Sequence, residues 1–360
     1  MGIIFRPDPN IAISIPPGET LRETMEVLNF SVRDFAKSLE VTEQSLHRIF
    51  SGKQPITYET AHKLEMVTGA PSSFWNALEA QYRDNLIAKE EKEEFQKQAS
   101  WLKEIPIKEL VARGVIENTK DIATQFRSAL QFFKVSSVSA WRERWEKPLL
   151  AARRSCSVES KIGHIAAWVR LGETAGESMS CAPYDRDGFR SLLMDEMRKL
   201  TRQSADVFSR EMVKVCSEVG VALALVREIS KAPLNGATKW LNPVKPLIVL
   251  SIRGKAEDKF WFSFYHEASH VLRGDGKRQF IISNDDESDP AEQAANHLAA
   301  DMLIPLTYDA TIKNITRPSD IASLANRLGV SPGIVAGRFR HLTKRWDRHS
   351  SLIKKLQWGN

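Results

Sequence analysis

The run DKFWFSFYHEASHVLRG, residues 258–274, holds His266, Glu267 and His270 in the order HExxH. On a helix, residues four apart share a face, so both imidazoles can reach one metal ion. The Glu beside the first can orient and deprotonate a metal-held water. Zinc brings the pKa of such a water toward about 7, and the pattern therefore points to hydrolysis of a peptide bond. With 8 His among 360 residues, an accidental match is expected only about 0.01 times in a chain of this length. The flanking Phe260, Trp261, Phe262, Phe264 and Val271 predict a buried helix, in which two imidazoles and a carboxylate need partners.

Two histidines leave a catalytic zinc site one protein ligand short. Glu292, 22 residues after His270, opens the helical run DPAEQAANHLAADMLIP. Asp289, Pro290 and Glu292 also have the spacing of N-cap, N1 and N3, so spacing alone leaves Glu292 equally a ligand or a capping acid. Upstream, GVALALV (220–226) and PLIVLSI (246–252) read as strands, with helices over 189–200 and 206–218. Asn235-Gly236 between the strands reads as a turn followed by ATKWL, and a small sheet is expected there.

From GATKWL through the HExxH run to EQAANHLAADMLIP, the chain is similar to the ImmA/IrrE family of metallopeptidases (DUF955 type). The resemblance covers about residues 184–340 and implies a zincin-like fold with a small sheet, in which Asn235-Gly236 and ATKWL would form an edge strand along which an extended peptide could add. It also implies zinc on His266, His270 and Glu292, Glu267 as the catalytic acid/base, and Asn296 beside the ligands. Members commonly act on a partner transcription regulator. One departure is the stretch after the second histidine, often HLLHG in that family and Val271-Leu272-Arg273-Gly274 here. His297, five residues past Glu292, is expected to face away from the metal, and either it or Tyr308 is a candidate oxyanion partner.

Near the N-terminus, SVRDFAKSLEVTEQSLHRIF predicts two short capped helices. Ser31 with Asp34 caps the first, which buries Phe35, Ala36 and Leu39; Thr42 caps the second, which buries Leu46 and Ile49. So tight a turn suits a helix-turn-helix. Glu43, Gln44, Ser45, His47 and Arg48 are then free to meet base edges, Gln suiting adenine and Arg guanine, while Thr42 and the helix N-terminus suit a phosphate. From PPGE to FWNALEAQY the chain resembles the XRE-type domain of HigA-like antitoxins, which implies a homodimer on a double-stranded DNA operator. Residues 1–83 nevertheless carry eight basic against ten acidic residues, a poor basis for phosphate neutralisation.

The composition is that of a soluble globular chain: 42% hydrophobic and 27% charged residues, long enough for two or three cores. Cys156, Cys181 and Cys216 form neither a zinc ribbon nor an even disulfide set, which argues for a reducing compartment. The prolines of the first residues do not suit a signal peptide, and no long apolar run suits a membrane span, so a cytoplasmic protein is expected.

Four stretches are expected in a mostly helical α+β chain. They are an all-α helix-turn-helix domain (1–83), a helical connecting region (84–183), a zincin-like domain (184–340) and a basic tail (341–360). Residues 89–94 read as a solvated helix face, and residues 283–289 as a polar loop. Residues 338–360 hold seven basic residues against Asp347 alone, equal to the whole chain's excess of +6, and suit either a solvated face or extra phosphate contacts. The expected function is a DNA-binding regulator of toxin–antitoxin or stress-response type that cuts one partner protein or itself. The alternative is a HigA-like repressor whose zinc fold is silent and binds a partner.

Overall fold

The computed structural model describes residues 15–152, 161–275, 281–282 and 289–359. Cys156 and all but the last residue of the expected polar loop 283–289 lie outside them, as does the stretch 1–14. The chain divides into two compact units, Met1–Gln98 and Ala99–Asn360.

In the first unit five helices follow one another: α1 (Pro17–Val27), α2 (Val32–Ser38), α3 (Glu43–Phe50), α4 (Tyr58–Thr68) and α5 (Ser72–Lys97). Ser31 caps α2 by accepting from the Asp34 amide, and Thr42 caps α3 by accepting from the Ser45 amide, both at 3.1 Å. Between them Glu40 takes a left-handed conformation, which turns the chain within a few residues. Phe35, Leu39, Leu46, Ile49 and Phe50 then meet Leu21, Leu64 and Trp75 in one small core. The last helix, α5, runs on through residue 83 and the charged 89–94 stretch, so the compact unit closes at Gln98.

The second unit begins with a 3-10 turn (Ala99–Lys103) and continues through α6 (Ile107–Ala112), α7 (Ile122–Phe132) and α8 (Val138–Trp141), which a π-helical turn (Arg142–Glu146) joins to α9 (Lys147–Ala152). The long α10 (Ile162–Ser178) follows, then α11 (Arg186–Met194), α12 (Glu196–Leu200) and α13 (Ala205–Glu218). Four strands, β1 (Ala222–Leu225), β2 (Gly236–Asn242), β3 (Lys245–Leu250) and β4 (Ile281–Ile282), form a sheet in the order β1-β3-β2-β4. The strand β1 runs parallel to β3, whereas β2 is antiparallel to both β3 and β4. The ATKWL run is therefore not at an edge along Ala237 and Thr238, which pair with Ile282 and Ile281. Gly236 is not a turn residue either: it opens β2 opposite Leu250.

Alternation along β3 explains its apolar run. Val249 and Leu247 meet α10 so closely that a Cβ at Gly172 or Gly176 would collide with them. Ile248 and Leu250 join the core on the other face, around α14 (Glu257–Arg273). A strand covered on both faces reads as continuously hydrophobic.

Helix α14 packs against β2, β3, α15 (Pro290–Leu303) and α18 (Pro332–Thr343). Phe260, Trp261, Phe264 and Val271 are buried as the sequence predicts, but Phe262 stays partly exposed, its ring centroid 6.4 Å from that of His266. After α16 (Asp309–Lys313), α17 (Pro318–Leu328) and α18 are joined by a turn through the left-handed Gly329. Ile334, Val335, Ala336 and Phe339 of α18 are buried, so this helix pair packs into the core. The last residues fold back on the start of α14. The Glu257 amide donates to the Lys354 carbonyl at 3.0 Å, and the Lys354 amide donates to Glu257 Oε1 at 2.9 Å. Among the described residues, no helix is long and apolar enough to cross a membrane.

Candidate metal centre

The sequence places the three candidate ligands on two packed helices. His266 and His270 lie one turn apart on α14 with ring centroids 4.8 Å apart, and Glu292 faces them from the first turn of α15. Asp289 caps α15 by accepting from the Ala291 amide at 2.8 Å, with Pro290 at N1. Capping is thus done by Asp289, and the Glu292 carboxylate turns to the histidines, 3.1 Å from His266 Nε2 and 3.3 Å from His270 Nε2. All three side chains are buried, and one ligand atom of each lies within 4.8 Å of the others.

The outer nitrogens of both rings define the inner ones. His266 Nδ1 is 2.8 Å from Asn296 Oδ1, and His270 Nδ1 is 3.1 Å from Asp275 Oδ2. Each partner oxygen accepts, so each Nδ1 carries the hydrogen, and in the neutral ring each Nε2 is a bare lone pair. Those two nitrogens face each other at 3.1 Å, with the Glu292 carboxylate against both. Glu292 Oε2 is buried and finds no hydrogen bond of acceptable geometry. Electron-pair donors converging in this way repel one another unless a cation joins them. The donor set, two imidazoles and a carboxylate, fits a metal ion such as zinc.

The same cluster also accommodates positive charge carried as protons on the imidazoles. Burial opposes the ionised form of Glu292, but contacts with His266 and His270 outweigh it and hold the carboxyl at about 2. Burial would likewise lower His270, yet Glu292, Glu267 and Asp275 raise it above its ordinary value.

Glu267 is fully buried against β2. Thr238 donates a 2.6 Å hydrogen bond to its Oε2. A Cβ at Gly236 would lie 2.7 Å from Glu267 Cγ and closer still to Oε1, so only glycine lets the strand approach this carboxylate.

Sequence reasoning missed Asp275. Gly274 ends α14 in the left-handed region with φ 78°, and the Asp275 amide then donates to the His270 carbonyl at 2.9 Å. That turn sends the Asp275 side chain back to His270, where Arg273 Nε also holds it at 2.8 Å. Arg273, where the stretch departs from the family pattern, is thereby tied to the metal site's support. The readable signal was a helix-ending glycine followed at once by a carboxylate. His297 is exposed, and Tyr308 packs against the apolar core.

In the first unit Glu43, Gln44, His47 and Arg48 are exposed on α3. Ser45 is not free in the same way, because its Oγ accepts from Gln54 Nε2 at 2.8 Å, and the Thr42 hydroxyl is taken up as the cap. Arg83 and Glu79 of α5 brace the segment after α3, with Arg83 donating to the Gly52 carbonyl and Glu79 accepting from the Ile56 amide.

Residues 224–340 match the family described as the IrrE N-terminal-like domain, Peptidase_M78. Over 63 residues the chain is 35% identical to the uncharacterized HTH-type transcriptional regulator YddM of Escherichia coli K12, covering 18% of this chain and 67% of that protein. Over 67 residues it is 34% identical to virulence-associated protein A' of Dichelobacter nodosus, covering 18% of this chain and 58% of that one. No solved structure matches. The chain belongs to the HTH-type regulators in its N-terminal part and joins that module to an IrrE N-terminal-like, Peptidase_M78 domain.

Proposed function

We propose that this chain is a cytoplasmic DNA-binding regulator, of toxin–antitoxin or stress-response type, whose second unit is a zinc endopeptidase acting on one partner protein or on itself. The observation that carries the peptidase reading is the convergence of two bare imidazole nitrogens and the Glu292 carboxylate beside Glu267.

His266, His270 and Glu292 would hold the ion, which supplies an acidified water and a polarised carbonyl. Asn296 and Asp275 fix the two rings in the tautomer that presents Nε2. Glu267 takes the water's proton on its carboxylate and returns it to the departing amine. Thr238 positions that carboxylate from the strand. The first unit, as a homodimer, presents α3 to a double-stranded operator, with Gln44 and Arg48 toward the bases.

One observation favours the second reading, a repressor whose metal fold is silent: the Glu267 carboxylate is wholly enclosed and already engaged by Thr238. Co-expression of wild type or Glu267→Gln with the products of the adjacent genes separates the two. The peptidase reading expects a cut partner, or a cut regulator, with wild type only. The silent reading expects intact proteins with both, and unimpaired binding of both to their own promoter.

A further inference from the structure

Around the helix-turn-helix four exposed cations, Arg33, Lys37, Arg48 and Lys53, form no ion pair among the described residues, but they stand in a stretch, residues 1–83, with ten acidic against eight basic residues. Arg22 pairs with Glu19, Lys63 with Glu40 and Glu59, and Arg83 with Glu79. The C-terminal segment has no such acidic excess, Asp347 being the one acid in residues 338–360. Lys344, Arg345, Arg348, Lys354 and Lys355 are exposed, and none of them forms an ion pair among the described residues. Trp346 stands 54% exposed among them, with the Arg340 guanidinium 5.6 Å from its ring centroid.

This segment is not a loose tail. His349 is buried with its ring against Phe339, centroids 4.8 Å apart. Leu356 is buried, and its amide donates to the Lys255 carbonyl at 2.9 Å. Trp358 Nε1 donates to Glu228 Oε2 at 2.8 Å. The apolar and backbone groups hold the strap down while the cations point to solvent, so a polyanion meets charges whose backbone is already ordered. Arg338 is the exception: it is paired with Asp309 at 2.7 Å and contributes nothing to such a surface.

We propose that the C-terminal strap, through Lys344, Arg345 and Arg348 with Trp346 beside them, is a second nucleic-acid surface that grips the phosphate backbone of duplex DNA. It adds sequence-independent affinity to that of the net-acidic helix-turn-helix unit, and in that sense it rests on the DNA-binding reading above. An acidic protein would be the rival occupant. The regular spacing of charge along duplex DNA favours several neighbouring cations with no specific acceptor geometry, which is what the strap offers.

The test uses the full-length chain and two duplexes, its own promoter and a random sequence, titrated between about 50 and 200 mM salt. Lys344→Gln, Arg345→Gln and Arg348→Gln are combined in one variant. A control removes equal charge from exposed positions elsewhere on the same unit, Lys120→Gln, Lys214→Gln and Lys313→Gln. The strap variant should bind both duplexes at least about tenfold more weakly, with the slope of log K against log salt shallower by about 2 to 3, while the control matches wild type. Thermal unfolding of each variant checks that the fold is retained. Unchanged affinity and slope in the strap variant overturn the proposal, and that is also the outcome if the strap docks an acidic protein. Gln44→Ala with Arg48→Ala separates the two readings: loss of promoter preference with an intact salt slope supports both units as contacts. A wild type that binds neither duplex defeats both.

Discussion

Thr238 and Glu267 are joined by a 2.6 Å hydrogen bond from the middle of β2 to the carboxylate one residue past the first histidine of HExxH. The same strand brings Gly236 against the other carboxylate oxygen. Thr238→Val removes the donor while keeping the shape, and is expected to cost about 1–3 kcal/mol of stability. Any partner cleavage should fall by about tenfold or more. Gly236→Ala forces the carboxylate to move and should abolish cleavage while costing about 1–3 kcal/mol. Urea unfolding and the co-expression assay check both, and wild-type behaviour of Gly236→Ala would contradict the clamp.

Asn296 and Asp275 set the ring tautomers, so their effects should be on metal affinity. Asn296→Ala and Asp275→Ala are each expected to weaken zinc binding by about 10- to 100-fold in competition with a chelating dye. Asp275→Ala also frees Arg273, and Asp275→Asn, which keeps an acceptor oxygen, should recover part of the loss.

Glu257 predicts a pH dependence. It is buried at the start of α14, where it accepts from Lys354 N and Ser331 Oγ and has Lys354 and Asp258 as its charged neighbours. Burial raises its carboxyl above the ordinary 4.5. The folded protein thus holds this proton more tightly than the unfolded chain, so ionisation at neutral pH costs stability, and that cost fades as pH falls through the raised value. The stability of wild type relative to Glu257→Gln should therefore improve as the pH is lowered from about 7 to about 5. A difference independent of pH in paired thermal scans would contradict the assignment.

On α3, Thr42→Ala removes a helix cap and should cost about 1 kcal/mol. Gln44→Ala and Arg48→Ala, exposed one turn apart, should leave stability unchanged and each cost about 1–3 kcal/mol of operator affinity, measured by fluorescence anisotropy.

The elements with local signals were legible in the sequence. Ser31 and Thr42 name their own helices because a cap is a contact three residues long. His266 and His270 were legible because metal chemistry restricts residue type and spacing, whereas spacing left Glu292 equally a ligand or a cap and only the family resemblance brought it to them. What escaped were long-range contacts. Asn235-Gly236 looks like a turn, yet Gly236 is demanded by a carboxylate on a distant helix. The ATKWL run looks like an edge, yet its pairing with Ile281 and Ile282 follows from a segment with no strand pattern of its own. The basic tail carries no sign of its anchorage, since Glu257 reaches it across the fold.

The account turns on whether His266, His270 and Glu292 hold zinc. The most direct measurement is elemental analysis of the purified full-length chain beside Glu292→Gln and Glu267→Gln, with thermal unfolding before and after chelation. The account predicts about one zinc per chain in wild type and in Glu267→Gln, a large loss in Glu292→Gln, and a melting temperature that chelation lowers only where zinc was bound. Wild type purified from zinc-replete cells without zinc, or Glu292→Gln retaining as much as wild type, would contradict it.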